Sequence, residues 1–216
     1  MIVVVGLPAW SPGPPSSPAG RTADIAMAAA GDGARVEVMG RIGDDPAGDA
    51  LLLALTRAGV GHVALLRDPA RPTPLRRPPP IDAEELLATD LLDGRDGPPA
   101  ADPRGPRLEP ADVALGLAYI TTFEVLVVAD DAPSTVIPAC VEAAAFAGAR
   151  LVVAVPPRAG VPEGLPGDAT VLVAPDEDGE AFARLLGRYA ASLDRGAAPE
   201  AAFAVATGDG WAHPGG

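Results

Sequence analysis

The sequence predicts an α/β fold in which a mostly parallel sheet lies between layers of helices. Short apolar runs without polar alternation occur at residues 2–5, 124–129 and 150–155, and such runs are typical of strands that are buried on both faces. Segments with helical spacing of apolar residues separate these runs. Because strand and helix alternate, we expect parallel β-α-β units with right-handed crossovers and a three-layer α/β/α arrangement.

Length and composition limit the classes of protein to consider. A chain of 216 residues suits one α/β domain over residues 1–216. The net charge of −13 argues against nucleic acid and anionic membranes as partners, since both select basic surfaces. No apolar run reaches the ~20 residues that span a bilayer, and the first residues lack the basic segment of a signal peptide. With a lone Cys140 that fits a reducing compartment, these features predict a cytoplasmic protein.

The first third of the chain gives the clearest element pattern. Residues 2–5 (IVVV) are predicted to form a buried strand, whereas the prolines within 10–18 (WSPGPPSSP) predict irregular structure. Residues 19–60 predict a helix of small side chains, a strand, a glycine-rich loop and a second helix. Asp45 is expected to cap that second helix, because an acid just before Pro46 can accept free amides of the first turn.

The remaining elements follow from the same rules, with proline and glycine clusters between them. The predicted order is a strand at 62–66, helices at 81–92 and 108–119, a strand at 124–129, a helix at 136–147 that residues 130–135 cap, strands at 150–155 and 170–173, a helix at 180–193 and a strand at 202–206. Residues 93–107 have little apolar content and are expected to form a flexible loop.

A family resemblance is carried by two glycine-containing segments, GRTAD at 20–24 and GRIGDD at 40–45. They resemble the N-terminal region of ribokinase and other PfkB-type sugar kinases, where a glycine-rich motif with a sugar-binding Asn precedes a small-residue helix, a strand and a Gly-Asp-Asp turn. The resemblance implies a ribokinase-like fold. It also implies that Gly20, Asp24 and Gly43 contact a sugar or nucleoside, with Asp24 in place of the Asn.

Later segments resemble the parts of such kinases that bind ATP and magnesium. The segment APDEDGE lies where the family has an Asn-x-x-Glu motif, and TGDG resembles a Thr-x-Gly turn near the nucleotide. The resemblance therefore implies ATP and Mg²⁺ as cofactors if the chain is a kinase. It implies metal contacts at Asp176 and at Glu180, or at Asp178 if that acid takes the role of the motif's Glu. It also implies nucleotide contacts at Thr207, Gly208 and Gly210.

Each of these acids also has a structural explanation. Asp24, Asp176 and Glu180 lie at predicted helix starts, where the helix dipole alone favours a negative charge. For Asp44 and Asp45, capping of a helix is a sufficient explanation. On the sequence we favour the structural role for all of them.

Two departures from the family pattern decide the functional prediction. Residues 6–18 leave no room for the family's small β-sheet lid, and the sequence lacks the Gly-Ala-Gly-Asp motif that supplies an anion hole and a base for phosphoryl transfer. We therefore expect a non-catalytic kinase homologue that lacks the lid and the C-terminal nucleotide-binding part and binds a small molecule or a protein. The alternative is an ATP-dependent sugar or nucleoside kinase that another chain, or residues beyond this sequence, completes.

The same losses bear on assembly. Strands missing from the sheet would leave an exposed edge, and native proteins usually cover or pair such edges. The sequence therefore predicts a homo-oligomer, or a protein partner that covers the edge.

Overall fold

The computed structural model describes residues 1–76, 104–120 and 122–208. The strands are β1 (Ile2–Gly6), β2 (Ala9–Ser11), β3 (Ser17–Ala19), β4 (Val36–Gly43), β5 (Val60–Asp68), β6 (Val125–Val128), β7 (Arg150–Val155) and β8 (Thr170–Val173). The helices are α1 (Arg21–Gly31), α2 (Pro46–Arg57), α3 (Pro110–Tyr119), α4 (Ile137–Ala147), α5 (Gly179–Asp194) and α6 (Pro199–Thr207), and a 3₁₀ turn at Ser134–Val136 precedes α4.

Six of the strands form one sheet in the order β5-β4-β1-β6-β7-β8, and every neighbouring pair is parallel. The strand β1 lies at the centre, where Ile2 is paired with Val36 on one side and Val125 on the other. The chain builds outward from β1 to β4 and β5, then returns to the far side of β1 to add β6, β7 and β8. The strand order therefore reverses between β1 and β6.

Two apolar layers enclose the sheet. On one face the side chains of α1, α2 and α5 pack over Ile2 and Val4, and on the other face α3 and α4 pack over Val3 and Val5. Helices α1 and α5 approach closely because Gly187 has no side chain, since a Cβ there would lie 2.6 Å from the Cβ of Ala28. The α/β class and the three-layer arrangement that the sequence predicts are confirmed.

The prediction of irregular structure at 10–18 is correct for residues 12–16 and wrong for the residues on either side of them. Strands β2 and β3 form an antiparallel pair there, in which Trp10 lies opposite Pro18. The other edge of β2 is also occupied, because the amide of Trp10 donates to the Pro74 carbonyl at 2.8 Å and the Trp10 carbonyl accepts from Arg76 at 2.9 Å. Proline has no amide hydrogen to donate, and it is tolerated in an edge strand at a position where no such hydrogen bond is needed. A small hairpin is therefore present in a segment that the sequence predicts to be too short for a β-sheet lid.

The predicted strand at 202–206 is also wrong, because these residues lie within helix α6. Pro199 occupies its first turn with Glu200, and Ala202 and Ala206 lie four residues apart on its buried face. Its Phe203 packs edge-on against Tyr189 of α5, with ring centroids 6.3 Å apart. Alternating AFAVA suggested a strand, whereas the Pro-Glu start and the i, i+4 pair of alanines favour a helix.

The predicted helix at 81–92 and residues 93–103 of the predicted loop lie outside the described residues. At its described end that segment is packed, since Gly105 is buried and its carbonyl accepts from the guanidinium of Arg71 at 3.2 Å. Among the residues that the structure describes, none of the helices combines the length and apolar character needed to cross a membrane.

Candidate functional site

The reversal of strand order brings the carboxyl ends of β1 and β6 side by side at the point where their connecting segments diverge. Ligands of open parallel sheets bind outside such a reversal, because the two connecting segments leave in opposite directions. Here the segment after β1, the acids that follow β6 and the N-terminus of α1 meet at this point. This meeting point is the candidate functional site, and we refer to it as the crevice.

The carboxylate of Asp131 joins these three segments. Its oxygens accept hydrogen bonds from the Thr22 amide at 3.0 Å, from the Thr22 hydroxyl and from the Leu7 amide at 3.4 Å. Gly6 makes room for this arrangement, because a Cβ there would lie 2.0 Å from the Thr22 oxygen and 2.4 Å from a carboxylate oxygen of Asp131. Asp131, which lies 109 residues from Thr22 in the chain, thus accepts a free amide of the first turn of α1.

Burial dominates the acid–base behaviour of Asp131. Removal from water raises the pKa of its carboxyl, and the neighbouring Asp130 raises it further, while the hydrogen bonds from Thr22 and Leu7 act against both. This use of Asp131 corrects the prediction that residues 130–135 cap the following helix. In the described part of the chain no side chain caps α4, which continues directly from the 3₁₀ turn.

Arg21 places a positive charge in the crevice. Its Nε lies 2.8 Å from the carboxylate of Asp130, and its Nη1 donates to the Gly179 carbonyl at the start of α5. The guanidinium also lies over the ring of Phe182, 5.2 Å from the centroid. With 15% and 13% of their side chains exposed, Arg21 and Asp130 form a pair that is largely shielded from solvent.

Asp24 lies on the same turn of α1 and is half-buried. Burial raises the pKa of its carboxyl to about 6, with Arg21 lowering it and Asp131 and Glu180 raising it. Its backbone amide donates to the Gly20 carbonyl at 3.0 Å. No hydrogen bond to its carboxylate comes from the part of the chain that the structure describes.

Gly20 holds the entry to α1. It has φ 87, a value that glycine adopts readily, and a Cβ there would lie 3.4 Å from both the Ala9 nitrogen and a carboxylate oxygen of Asp131. The structure thus brings two of the predicted substrate residues, Gly20 and Asp24, to the crevice.

The third predicted substrate residue, Gly43, belongs to a different cluster. Asp45 caps α2 by accepting from the Gly48 amide at 2.8 Å, and its other oxygen accepts from the Thr73 amide at 2.8 Å. The Thr73 hydroxyl donates to Asp45 at 2.7 Å and accepts from the Gly43 amide at 3.0 Å. The cap that the sequence predicts for Asp45 is confirmed, and the Gly43 amide is used within the chain.

Neighbouring Asp44 is not a cap. It forms an ion pair with Arg67 at 3.0 Å.

Each of the predicted metal residues forms an ion pair with an arginine other than Arg21, although the charge of Glu180 also acts on Asp24. Asp176 pairs with Arg158 at 3.5 Å, and Glu180 pairs with Arg184 one turn along α5. Both carboxylates are more than half exposed. Within residues 1–76, 104–120 and 122–208 no group of three or more potential metal ligands occurs, and magnesium binding by this pair stays a prediction.

The predicted nucleotide residues lie at the end of α6. The Thr207 hydroxyl donates to the Phe203 carbonyl at 2.9 Å within the helix, and Gly208 follows the last helical residue. Gly210 lies outside the described residues. A Thr-x-Gly turn after a strand is therefore not what this segment forms, and its contact with a nucleotide stays a prediction.

Sequence analysis missed the most connected residues of the crevice, Arg21, Asp130 and Asp131. The Asp-Asp pair after a buried strand was a usable signal, because the carboxyl ends of parallel strands meet at one edge of the sheet. Nothing in the spacing identified the N-terminus of α1, more than a hundred residues away, as the partner of Asp131.

The comparisons with known proteins agree with this topology. No protein-family model matches the sequence, and no curated protein matches it significantly. The structure is similar to that of the protein Sa239, with a TM-score of 0.70, 14% identity and coverage of 95% of this chain and 90% of that one.

Two ribokinase structures are also similar. A putative ribokinase II from E. coli in complex with ATP and Mg²⁺ has a TM-score of 0.65 at 13% identity, over 95% of this chain and 89% of that one. Arabidopsis thaliana ribokinase complexed with ribose and ATP has a TM-score of 0.59 at 12% identity, also over 95% and 89%. At these identities the similarity concerns the fold, and it confirms the fold that the resemblance implied: the chain has the ribokinase-like fold.

Proposed function

We propose that this protein binds a small polyhydroxylated molecule, a sugar or a nucleoside, in the crevice and does not transfer phosphate to it. The observation that carries the proposal is Asp24. Its carboxylate is half-buried beside Arg21, its pKa is raised to about 6, and it receives no hydrogen bond from the described residues. A partly buried acceptor that no described group pairs gains from a hydrogen-bond donor, and the hydroxyl groups of a sugar would supply donors.

The position of Asp24 supports this ligand class. It lies at the start of the helix that leads away from the strand reversal, which is where open parallel sheets bind ligands. The sequence resemblance aligns it with a sugar-binding Asn. One structural neighbour is a ribokinase complexed with ribose and ATP.

The absence of phosphoryl transfer is inferred from contacts that are already made. Transfer depends on metal ions and free hydrogen-bond donors placed around the phosphate. Here the candidate metal ligands Asp176 and Glu180 are engaged by arginines. The Thr22 amide at the start of α1 is occupied by a carboxylate, and this position is one where an anion could otherwise bind.

The alternative is an ATP-dependent sugar or nucleoside kinase, with Asp176 and Glu180 holding Mg²⁺. It is favoured by one observation, the similarity over 95% of this chain to a putative ribokinase II bound to ATP and Mg²⁺. In that function the exposed arginine pairs of Asp176 and Glu180 would open when the metal binds.

A thermal-shift titration separates these functions. Ribose, a panel of other pentoses and hexoses, and nucleosides are titrated first, and ATP with Mg²⁺ is titrated separately. A ligand that binds only the folded state raises Tm once its concentration exceeds Kd. We expect a sugar or nucleoside to raise Tm of the unsubstituted protein and to leave Tm of Asp24→Ala, which has no polar side chain at this position, unchanged.

The control is Asp44→Asn, whose carboxylate is 58% exposed and pairs with Arg67 away from the crevice. This variant should keep the ligand shift. No shift with any sugar or nucleoside contradicts the binding function. Sugar-dependent formation of ADP from ATP and Mg²⁺ supports the kinase instead.

A further inference from the structure

The outer edge of β8 offers backbone hydrogen-bonding groups to a partner. β8 pairs with β7 on one side, from Thr170 opposite Val152 to Val173 opposite Val155. On its other side no described residue pairs with it. Each free amide and carbonyl of a strand is a strong hydrogen-bonding group that requires a partner or water.

The register identifies which groups face outward. The Ala174 amide donates to the Val155 carbonyl at 2.8 Å, so Ala174 and, two residues earlier, Leu172 direct their backbone groups toward β7. Backbone groups alternate in direction along a strand. Val171 and Val173 therefore present their amide and carbonyl groups to the open side, and Pro175, which has no amide, ends this outward series.

The side chains of this edge are uncharged throughout. The strand reads Thr-Val-Leu-Val, with Val171 and Leu172 half-buried on opposite faces of the sheet and Val173 58% exposed. Native proteins protect free edges with charges, prolines or bulges, and β8 itself contains none of these.

The opposite edge of the sheet shows the contrast. Strand β5 has a register irregularity against β4 between Glu37 and Met39, and the Val63 amide there is taken by the Glu37 carboxylate at 3.3 Å. The strand also ends in Arg67 and Asp68, and Arg67 is held by acidic side chains. The edge at β5 is thus protected by a bulge and charges, whereas among the described residues neither protects the edge at β8.

Acidic residues lie at both ends of β8. Asp168 precedes the strand, and Asp176, Glu177 and Asp178 follow it, all of them exposed. Arg158 pairs with Asp176 at 3.5 Å, and Arg21 donates to the carbonyl of Gly179, which follows Asp178. The chain as a whole has a net charge of −13, so the surroundings of this edge favour a basic partner.

A second copy of the chain fits this edge poorly. The antiparallel register that satisfies the outward groups sets Val171 of each copy opposite Val173 of the other. In that register the acids that flank β8 in one copy, Asp168 before it and Asp176 after it, would approach the acids of the other copy. Like charges brought together in this way oppose the pairing of two copies.

We propose that the outer edge of β8 binds an extended segment of another protein that is apolar and β-branched at its centre and basic at both ends. The segment adds a seventh strand to the sheet. Its backbone pairs with Val171 and Val173, and its basic residues lie near Asp168 on one side and Glu177 on the other. Binding of an extended peptide by a free sheet edge is an established mode of recognition.

The test uses two fluorescent peptides and the full chain. One peptide has the sequence Lys-Lys-Val-Thr-Val-Thr-Lys-Lys, and the matched peptide carries Glu at all four Lys positions. Fluorescence anisotropy should show binding of the Lys peptide that weakens with added salt. We expect binding of the Glu peptide to be at least about 10-fold weaker, because rim charges govern partner choice.

Variants of the protein locate the binding surface. Val173→Pro removes an outward amide and leaves the hydrogen bonds between β7 and β8 intact. It should weaken binding of the Lys peptide by about 10-fold or more, because proline cannot donate to an added strand. Val173→Thr keeps the amide and should bind as the unsubstituted protein does. Asp168→Asn combined with Glu177→Gln changes exposed side chains alone and should reduce affinity and its salt dependence.

Several results would overturn the proposal. They are no binding of either peptide, equal binding of both peptides, or unchanged affinity in both Val173→Pro and the Asp168→Asn, Glu177→Gln variant. Light scattering that shows a dimer of the unsubstituted protein, converted to monomer by Val173→Pro, would assign the edge to a second copy and would also overturn it.

Discussion

The N-termini of α1 and α2 satisfy their free amides in two different ways. Helix α2 is capped from within its own segment, since Asp45 accepts from Gly48 three residues later. Helix α1 begins at a glycine without a capping side chain and receives its carboxylate from Asp131, which follows the distant strand β6. Both arrangements end at the carboxyl edge of the same sheet, yet the two carboxylates differ in environment and charge behaviour.

The difference shows in the pKa of each acid. Burial raises the pKa of Asp45 as well, but hydrogen bonds from Gly48 and from both donors of Thr73 outweigh it, so that pKa lies below its ordinary value. For Asp131 burial outweighs the hydrogen bonds, so its pKa lies above the ordinary value. The hydrogen bonds to Asp45 stabilise its charged form. Asp131 holds three segments together, but its burial disfavours its charged form. A cost of this kind is typical of functional sites.

The largest effect is expected for Asp131→Ala. It leaves the Thr22 amide and hydroxyl and the Leu7 amide without their acceptor in a buried position. Since each unsatisfied buried donor costs about 1–3 kcal/mol, we expect a loss of about 3–5 kcal/mol in the free energy of unfolding. Urea denaturation at pH 7 measures it.

Two further variants make that experiment decisive. Thr22→Val removes one donor without changing the shape of the side chain and should cost about 1–2 kcal/mol, which keeps the test possible if Asp131→Ala does not fold. Asp44→Ala, on a 58% exposed carboxylate, is the control and should change stability by less than about 0.5 kcal/mol. A cost for Asp131→Ala as small as that of the control would contradict the role of Asp131 as the distant cap.

A smaller, pH-dependent effect is expected for Asp45→Asn. Because the pKa of Asp45 is lower in the folded state than in the unfolded one, its contribution is present above pH ~4 and is lost as the pH falls through the folded-state pKa. We expect the variant to lose about 1–2 kcal/mol at pH 7, as is typical of a lost N-cap. Denaturation curves from pH 7 to pH 3 should show the difference shrinking, and a difference independent of pH would contradict this origin.

The sequence predicts a helix cap when the capping residue is close in the chain to the helix that it caps. Asp45, Pro46 and Gly48 lie within four residues, so capping rules applied directly and the prediction was confirmed. Strands and helices with apolar periodicity were predictable for the same reason. The contact between Asp131 and Thr22 depends on strand order, which decides that β6 adds beside β1, and no local pattern encodes that order.

The two incorrect elements have a similar cause. The hairpin of β2 and β3 is stabilised by residues 74–76 across its outer edge, a tertiary contact that composition cannot show. For α6, apolar alternation over five residues was outweighed by the buried face formed with α5. Short apolar segments carry little periodicity, so packing decides their form.

An effect of opposite sign is expected for Asp24→Ala. The folded-state pKa of Asp24 is about 6, above its unfolded value, so its contribution to stability is present below pH ~4 and is lost as the pH rises through about 6. Replacing it with a neutral side chain should therefore stabilise the protein at pH 8, by about 1–3 kcal/mol. The gain should vanish near pH 3.5.

This variant also links stability to binding. If Asp24 contacts the sugar or nucleoside, Asp24→Ala gains stability and loses the ligand-dependent rise in Tm. A variant that gains stability and keeps the full ligand shift would place the binding site elsewhere, while no gain at pH 8 would show that the carboxylate is better solvated than its position implies.

The smallest effect is expected for Glu180→Gln, at the start of α5. This acid lies in the first turn of its helix, as Asp24 does in α1, but its side chain is 80% exposed and its partner Arg184 is 59% exposed. An exposed i, i+4 pair contributes only about 0.3–0.5 kcal/mol and is screened by salt. We expect a loss of that size by urea denaturation at low salt and none at 1 M NaCl. A larger loss that persists in high salt would mean that Glu180 is bound into the crevice with Arg21 and Asp24, and the division between buried and exposed helix starts would then not hold for α5.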